Sequence, residues 1–161
     1  LTAATKTFNL AGLQNSLIVI PDKTIRARFD AYLKKIRITP SNPMGYIAVE
    51  AAYRGGAAWA KECRRQIYEN FELLRDTLAA RAPKAVVSPL EGTYLMWVDL
   101  GAYVKAEEMK DFMERRCGLA VDYGEWFGGE RFGTFIRLNL ATSRELVQAA
   151  ADKLCAALEQ C

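Results

Sequence analysis

The 161-residue sequence contains no histidine. Its four cysteines, Cys63, Cys117, Cys155 and Cys161, stand far apart and form no CxxC pair. The usual ligands of a structural zinc site are therefore missing at the usual spacings, so no metal site is expected. A disulfide framework does not suit a chain this rich in apolar residues, and reduced thiols in a cytoplasmic setting are the expectation. No apolar run is long enough to cross a membrane, and no signal-peptide pattern is present. Charge of one sign is also scarce. The net charge is only +3, and the basic pairs Lys34-Lys35, Arg64-Arg65 and Arg115-Arg116 are short. They read as solvated helix faces, too sparse for nucleic-acid binding. There is no internal repeat. The first residue is Leu and not Met, so the natural start is expected to be removed or to lie upstream.

What is present is ample apolar material: 51% of residues are hydrophobic and 25% are charged. That balance fits a globular chain with a core and not a disordered one. The length alone allows one ordinary domain.

Residues 15–20 end in a β-branched apolar run stopped by Pro21-Asp22, which predicts a short buried strand and a turn. A helix is predicted over about 22–36, with Ile25, Phe29, Tyr32, Leu33 and Ile36 on one side. Thr39-Pro40-Ser41-Asn42-Pro43 breaks the chain, as a hinge and helix start. Residues 43–81 read as mostly helical, with a weak point at Gly55-Gly56 and an end before Pro83. Strands are predicted at 85–88 and 94–100, joined by a turn over Pro89–Gly92. A helix at 105–116 ends at Gly118, and a short strand is expected at 119–121. Residues 123–133 read as a loop rich in glycine and aromatics. Phe135–Leu140 is a strand, and Ser143 caps a final helix to about 160.

This order predicts an α/β fold: a small α/β domain over 84–161. Its sheet would be mixed or antiparallel, of about four strands, with helices on one face. Residues 35–83 would form a long linking helix, and 1–34 the trailing edge of another domain.

Two residues carry candidate chemistry. Lys6 stands among small and apolar neighbours just ahead of a turn. Such a setting can partly desolvate an amine and favour its neutral, nucleophilic form, which forms Schiff bases with aldehydes. Read alone, a lysine before a turn is a solvated surface residue. Arg137 is a charged residue inside an otherwise apolar strand. Read alone, it lies on the solvent face of an alternating strand.

The run Thr5-Lys6-Thr7-Phe8-Asn9-Leu10-Ala11-Gly12-Leu13 resembles the cofactor-lysine motif of fold-type-I enzymes that use pyridoxal 5'-phosphate (PLP), the class I/II aminotransferase superfamily. The likeness is greatest to the cystathionine β-lyase-like C–S lyase branch. Typical aminotransferases of the superfamily have an arginine eight residues after the lysine, which grips the cofactor phosphate. Gln14 stands here instead, as in the C–S lyase branch, and it weakens the plain aminotransferase reading. Glu91–Trp97, Tyr123–Gly128 and Phe135–Ala141 resemble further stretches of the same family.

The resemblance implies roles. Lys6 would hold PLP and act as acid and base at the substrate α-carbon. Thr5 would place a hydroxyl near the cofactor phosphate. Arg137 would bind the substrate α-carboxylate through its planar fork. Asn9 and Gly12 would shape the turn. Tyr94 and Trp97 face either core or cleft, and the glycines of 123–133 either permit closure over substrate or belong to a plain surface loop. In the family, the lysine lies well inside the polypeptide, and the aspartate, stacking ring and phosphate-binding helix come from elsewhere. The chain is thus expected to be the C-terminal portion of such an enzyme, without PLP and inactive by itself. The parent would be a homodimeric C–S β-lyase releasing pyruvate. An aminotransferase on the same scaffold is the alternative, as is an aminotransferase-like ligand-binding domain of a transcriptional regulator.

Overall fold

A computed structural model describes residues 1–38 and 43–161. The chain divides into two compact units, Leu1–Glu62 and Cys63–Cys161. No helix among the described residues is long and apolar enough to cross a membrane.

The first unit opens on a turn over residues 4–10 and a 3-10 helix at Ala11–Leu13. The predicted strand at 15–20 does not form. The segment makes a single bridge, in which Thr2 and Leu17 exchange backbone hydrogen bonds of 2.9 and 2.7 Å. A β-branched run needs neighbouring strands to become a ladder, and none pairs with it among the described residues. Leu17, Ile18 and Val19 are accordingly exposed. Helix α1 spans Lys23–Lys35. Its N-cap is Asp22, whose Oδ1 accepts the Ile25 N–H at 2.8 Å, and Lys34 and Lys35 favour its C-terminal dipole. The hinge expected at 39–43 lies outside the described residues except for Pro43. That proline opens α2 (Pro43–Gly55), a position where its missing N–H costs nothing.

The weak point at Gly55-Gly56 is a real break, because α3 begins anew at Ala57 and runs to Arg81. Its cause is packing. A Cβ on Gly56 would stand 2.6 Å from Phe8 Cε1 and 2.5 Å from the Ala52 carbonyl oxygen. The Phe8 ring fills that space, stacked on Trp59 at 6.2 Å and edge-on to Tyr53 at 5.8 Å. The boundary between the two units falls inside α3, at Glu62/Cys63.

The second unit contains β1 (Val86–Val87), β2 (Leu95–Asp99), α4 (Met109–Asp111), β3 (Asp122–Tyr123), α5 (Glu125–Gly128), β4 (Phe135–Asn139) and α6 (Arg144–Leu158). The four strands form one sheet in the order β1-β2-β4-β3, and of the two expected arrangements, mixed or antiparallel, it is antiparallel throughout. Helix α4 is one regular turn between a 3-10 turn at Ala106–Glu108 and a π-helical turn at Phe112–Arg116, so the helix predicted at 105–116 is irregular throughout. The strand expected at 119–121 falls instead at 122–123, because the Leu119 N–H is taken by the Met113 carbonyl and pairing with β4 starts only at Asp122. In the turn before β2, Thr93 and not Gly92 takes the left-handed backbone, at φ 67°. The Thr93 hydroxyl accepts the Leu95 N–H at 2.9 Å, which supports this uncommon geometry.

Strand alternation divides the sheet into two faces. Met96, Val98 and Ile136 point into one buried cluster with Phe71, Leu74 and Leu78 of α3 and with Val147, Ala151, Leu154 and Leu158 of α6. Met109, Phe112 and Met113 complete it, so the helices cover one face, as expected from the sequence. Ser143 caps α6, its Oγ accepting the Leu146 N–H at 3.4 Å. Cys117 and Cys155 serve as apolar core residues, and burial pushes the Cys117 thiol up to about 11.

One buried polar residue ties this core together. Asn70 of α3 is 1% exposed and donates through Nδ2 to the carbonyls of Leu140 and Thr142, both at 3.0 Å. Asn70→Ala removes both bonds and leaves the buried Leu140 carbonyl without this donor, while the Thr142 carbonyl keeps a 3.5 Å bond from Gln66 Nε2, and it is expected to destabilise the fold by about 2 kcal/mol. Urea unfolding followed by circular dichroism measures it, and an unchanged midpoint would show that the two bonds are dispensable.

Candidate functional site

Lys6 and Thr5 belong to the first unit and Arg137 to the second, and each is built by its own unit.

The lysine segment is one closed turn. The Phe8 N–H donates to the Ala4 carbonyl at 3.0 Å, and the Leu10 N–H to the Thr5 carbonyl at 2.8 Å. Asn9 supplies the left-handed residue that this C-cap arrangement needs, at φ 54°. Asn9 therefore shapes the turn, whereas Gly12 is not required there, since a Cβ on it would meet open space. Gln14 takes a left-handed conformation at φ 50° and ends the 3-10 helix. Its N–H donates to the Ala11 carbonyl at 3.1 Å.

The turn buries Ala4, at 2% exposure, leaves Thr5 half-buried, and turns Lys6 outward. The desolvation expected from its small neighbours is thus not present. Those neighbours flank Lys6 along the chain but do not cover it. Asn15 in the same unit is only 3% exposed, and its Nδ2 has no hydrogen-bond partner among the described residues. Leaving such a donor unmet costs on the order of 1–3 kcal/mol. An accessible primary amine beside a hydroxyl matches what an aldehyde that carries a phosphate asks of a protein.

Arg137 lies in the middle of β4, on the face away from the core. Register decides its neighbours. Trp97, Arg137 and Asp122 are directly opposite one another across β2, β4 and β3. Directly opposed residues share a face, so all three point the same way. The next row, Val98, Ile136 and Tyr123, points into the core and is buried throughout. Asp122 Oδ2 accepts from Arg137 Nε at 3.0 Å and from Nη2 at 2.7 Å. The guanidinium carbon lies 4.2 Å from the centre of the Phe127 ring, a cation–π contact. The Arg137 side chain is 29% exposed and that of Asp122 is 42% exposed. An ion pair that wet contributes less than about 1 kcal/mol to stability, so its main effect is on geometry.

Trp97 belongs neither to the helix-covered core nor to open solvent. It stacks on Phe135 at 5.4 Å and meets the edges of Phe127 and Phe132, each at 5.9 Å. This second aromatic cluster borders Arg137 through Phe127. Of the glycines of 123–133, Gly124 and Gly128 serve the packing of that cluster. A Cβ on Gly124 would stand 2.3 Å from the Phe132 carbonyl oxygen, and one on Gly128 would stand 2.2 Å from the Phe132 ring. The segment is also more ordered than a plain loop, since it holds α5 and a 3-10 turn at Gly129–Phe132. Asp122 and Phe127 escape sequence reading because Asp122 reaches Arg137 through the β3–β4 register and Phe127 through the fold of α5. The acidic groove lined by Glu69, Glu72, Asp76, Arg81 and Asp152 contains none of these residues.

No family model matches the chain. It is 34% identical over 157 residues to cystathionine beta-lyase PatB of Bacillus subtilis, covering 97% of this chain and 40% of that protein. Its backbone matches the crystal structure of cystalysin from Treponema denticola, which contains pyridoxal 5'-phosphate, with a TM-score of 0.91 at 32% identity over 99% of this chain and 40% of that one. It also matches the PLP-bound C–S lyase of Staphylococcus hominis, with a TM-score of 0.83 at 31% identity over 96% of this chain and 40% of that one. The chain therefore spans about 40% of the length of the curated relatives it matches.

Two outcomes follow for the second unit. Gly124→Ala forces Phe132 and Phe135 aside, and overpacking of this kind costs about 1–3 kcal/mol. A weakened near-ultraviolet circular dichroism signal reports it, and an unaltered signal would show that the loop accommodates a methyl group. Burial, and then the 3.1 Å hydrogen bond to Glu114, push the Tyr123 phenol up from 10.0 to about 12. An unfolded tyrosine ionises first, so folded-state stability falls as pH rises from 10.0 to about 12. Unfolding curves across that window, compared with Tyr123→Phe, measure the loss.

Proposed function

Because the chain is a segment of the fold-type-I PLP-dependent enzymes, on their cystathionine β-lyase and C–S lyase side, we propose that it supplies the lysine and the carboxylate-binding arginine of a C–S β-lyase. The substrate class is an L-amino acid with sulfur on its β-carbon, such as cystathionine. The observation that carries this reading is the likeness to C–S lyases over nearly the whole chain, at 31–34% identity.

Each residue then has a defined task. Thr5 offers its hydroxyl to the cofactor phosphate, and Gln14 stands where a cationic grip would weaken the case for a lyase. Lys6 would hold the cofactor through its Nζ, an amine that the turn leaves exposed. When bound, PLP draws electron density from the substrate α-carbon and so makes its proton removable. Lys6 Nζ would be the base that takes that proton. The C–S bond then breaks, the sulfur leaves as a thiol, and hydrolysis of the remainder yields pyruvate and ammonia. Arg137 would bind the α-carboxylate with two parallel N–H···O bonds. The working enzyme would be a cytoplasmic homodimer of its relatives' length.

The test is pyruvate release from L-cystathionine by the PLP-loaded enzyme that contains this chain, with no keto acid added. Lys6→Ala is expected to reduce the rate about a thousandfold, the scale of a lost general base. Arg137→Gln is expected to raise KM about ten- to hundredfold through the lost charge-assisted bonds. Turnover that appears only when a keto acid is supplied would identify an aminotransferase on the same scaffold. Cofactor binding without any turnover would identify a ligand-binding domain.

A further inference from the structure

We propose that Asp122 is a positioning residue for Arg137. It holds the guanidinium by one edge, so that the end formed by Nη1 and Nη2 receives the carboxylate. This rests on the reading of Arg137 as the carboxylate-binding group.

Three observations carry it. First, both bonds from Arg137 converge on a single oxygen, Asp122 Oδ2, and they use the Nε–Nη2 edge. A guanidinium has five N–H donors in a fixed fork. Nη1 has no partner among the described residues, so it and the second Nη2 hydrogen remain to form a two-pronged site at the far end. Second, the plane of the fork is fixed from a second direction by the Phe127 ring, 4.2 Å from the guanidinium carbon. An arginine held by one edge and one face keeps little of the rotamer freedom that binding would otherwise cost. Third, the pairing is written into the sheet, because Asp122 and Arg137 are directly opposed in the β3–β4 register. Asp122 carries negative charge close to an incoming carboxylate, which opposes binding. Orientation outweighs that repulsion only if the acceptor oxygen matters more than the charge, and a conservative replacement separates the two.

Asp122→Asn keeps an acceptor oxygen and removes the charge, while Asp122→Ala removes both. The readout is the Arg137 Nε–Hε signal in nuclear magnetic resonance of 15N-labelled protein, assigned by its loss in Arg137→Lys. Acetate serves as the probe carboxylate, with chloride at equal ionic strength as the control. The wild type and Asp122→Asn are expected to show a slowly exchanging signal and acetate affinities within about threefold of each other. Asp122→Ala is expected to exchange at least about tenfold faster and to bind acetate about tenfold more weakly, as loss of a charged hydrogen-bond partner implies. Equal protection in Asp122→Ala would overturn the clamp, whatever Arg137 binds. Tighter acetate binding in both variants would show that Asp122 competes with the ligand. If acetate leaves the wild-type signal unmoved while protection still depends on Asp122, the carboxylate reading of Arg137 fails and the clamp stands.

Discussion

The second unit depends on one constraint, the register of β2, β4 and β3. Val98, Ile136 and Tyr123 form one row across the sheet, and Trp97, Arg137 and Asp122 form the next. Side chains in adjacent rows point to opposite faces, so the first row enters the helix-covered core and the second faces away from it. A slip of one residue in β4 would bring Arg137 into the core and expose Ile136. The core of α3, α6 and the 109–116 segment therefore does more than stabilise the fold. By claiming Ile136, it fixes the face on which Arg137 must stand.

On that outer face, packing and electrostatics share the work. Trp97, Phe132 and Phe135 build an aromatic cluster that Phe127 extends to the guanidinium. Gly124 and Gly128 allow it, since a side chain on either would collide with Phe132. The Asp122–Arg137 pair adds little stability because both partners remain partly wet. Its effect is to orient a charged group that the strand alone leaves free to move. On the proposed role of Arg137, a ligand would meet a prearranged arginine, which would lower the entropy lost on binding.

The first unit follows different physics. No sheet organises its opening residues. Lys6 is placed by a single turn that buries Ala4 and closes through the left-handed Asn9, and Phe8 fills the gap left by Gly56. The likeness to PLP enzymes was legible in the run from Thr5 to Leu13, because that motif is local. The sequence left Lys6 between a desolvated and a solvated reading, and the turn decides for the solvated one, since neighbours in sequence need not be neighbours in space. The segment at 15–20 misled for a related reason. Its β-branched residues favour a strand, but a strand is stable only when another one pairs with it, and here one bridge to Thr2 is all that forms.

Helices and caps depend on short-range periodicity and on side chains within a few residues. The sequence by itself therefore determined α1 and α6, the helical character of 43–81 with its weak point at Gly55-Gly56, the capping role of Ser143, and the strand character of β2 and β4. It also determined the two residues, Lys6 and Arg137, on which the functional reading rests. Tertiary structure alone decided which strands pair, that β3 begins at Asp122, that Trp97 joins a second aromatic cluster, and that Asn70 of α3 holds the carbonyls of Leu140 and Thr142 beyond β4. It alone brought Asp122 and Phe127 to Arg137. Those contacts join residues that have no local signal for one another, and only the pairing of β3 with β4 and the fold of α5 bring them within reach.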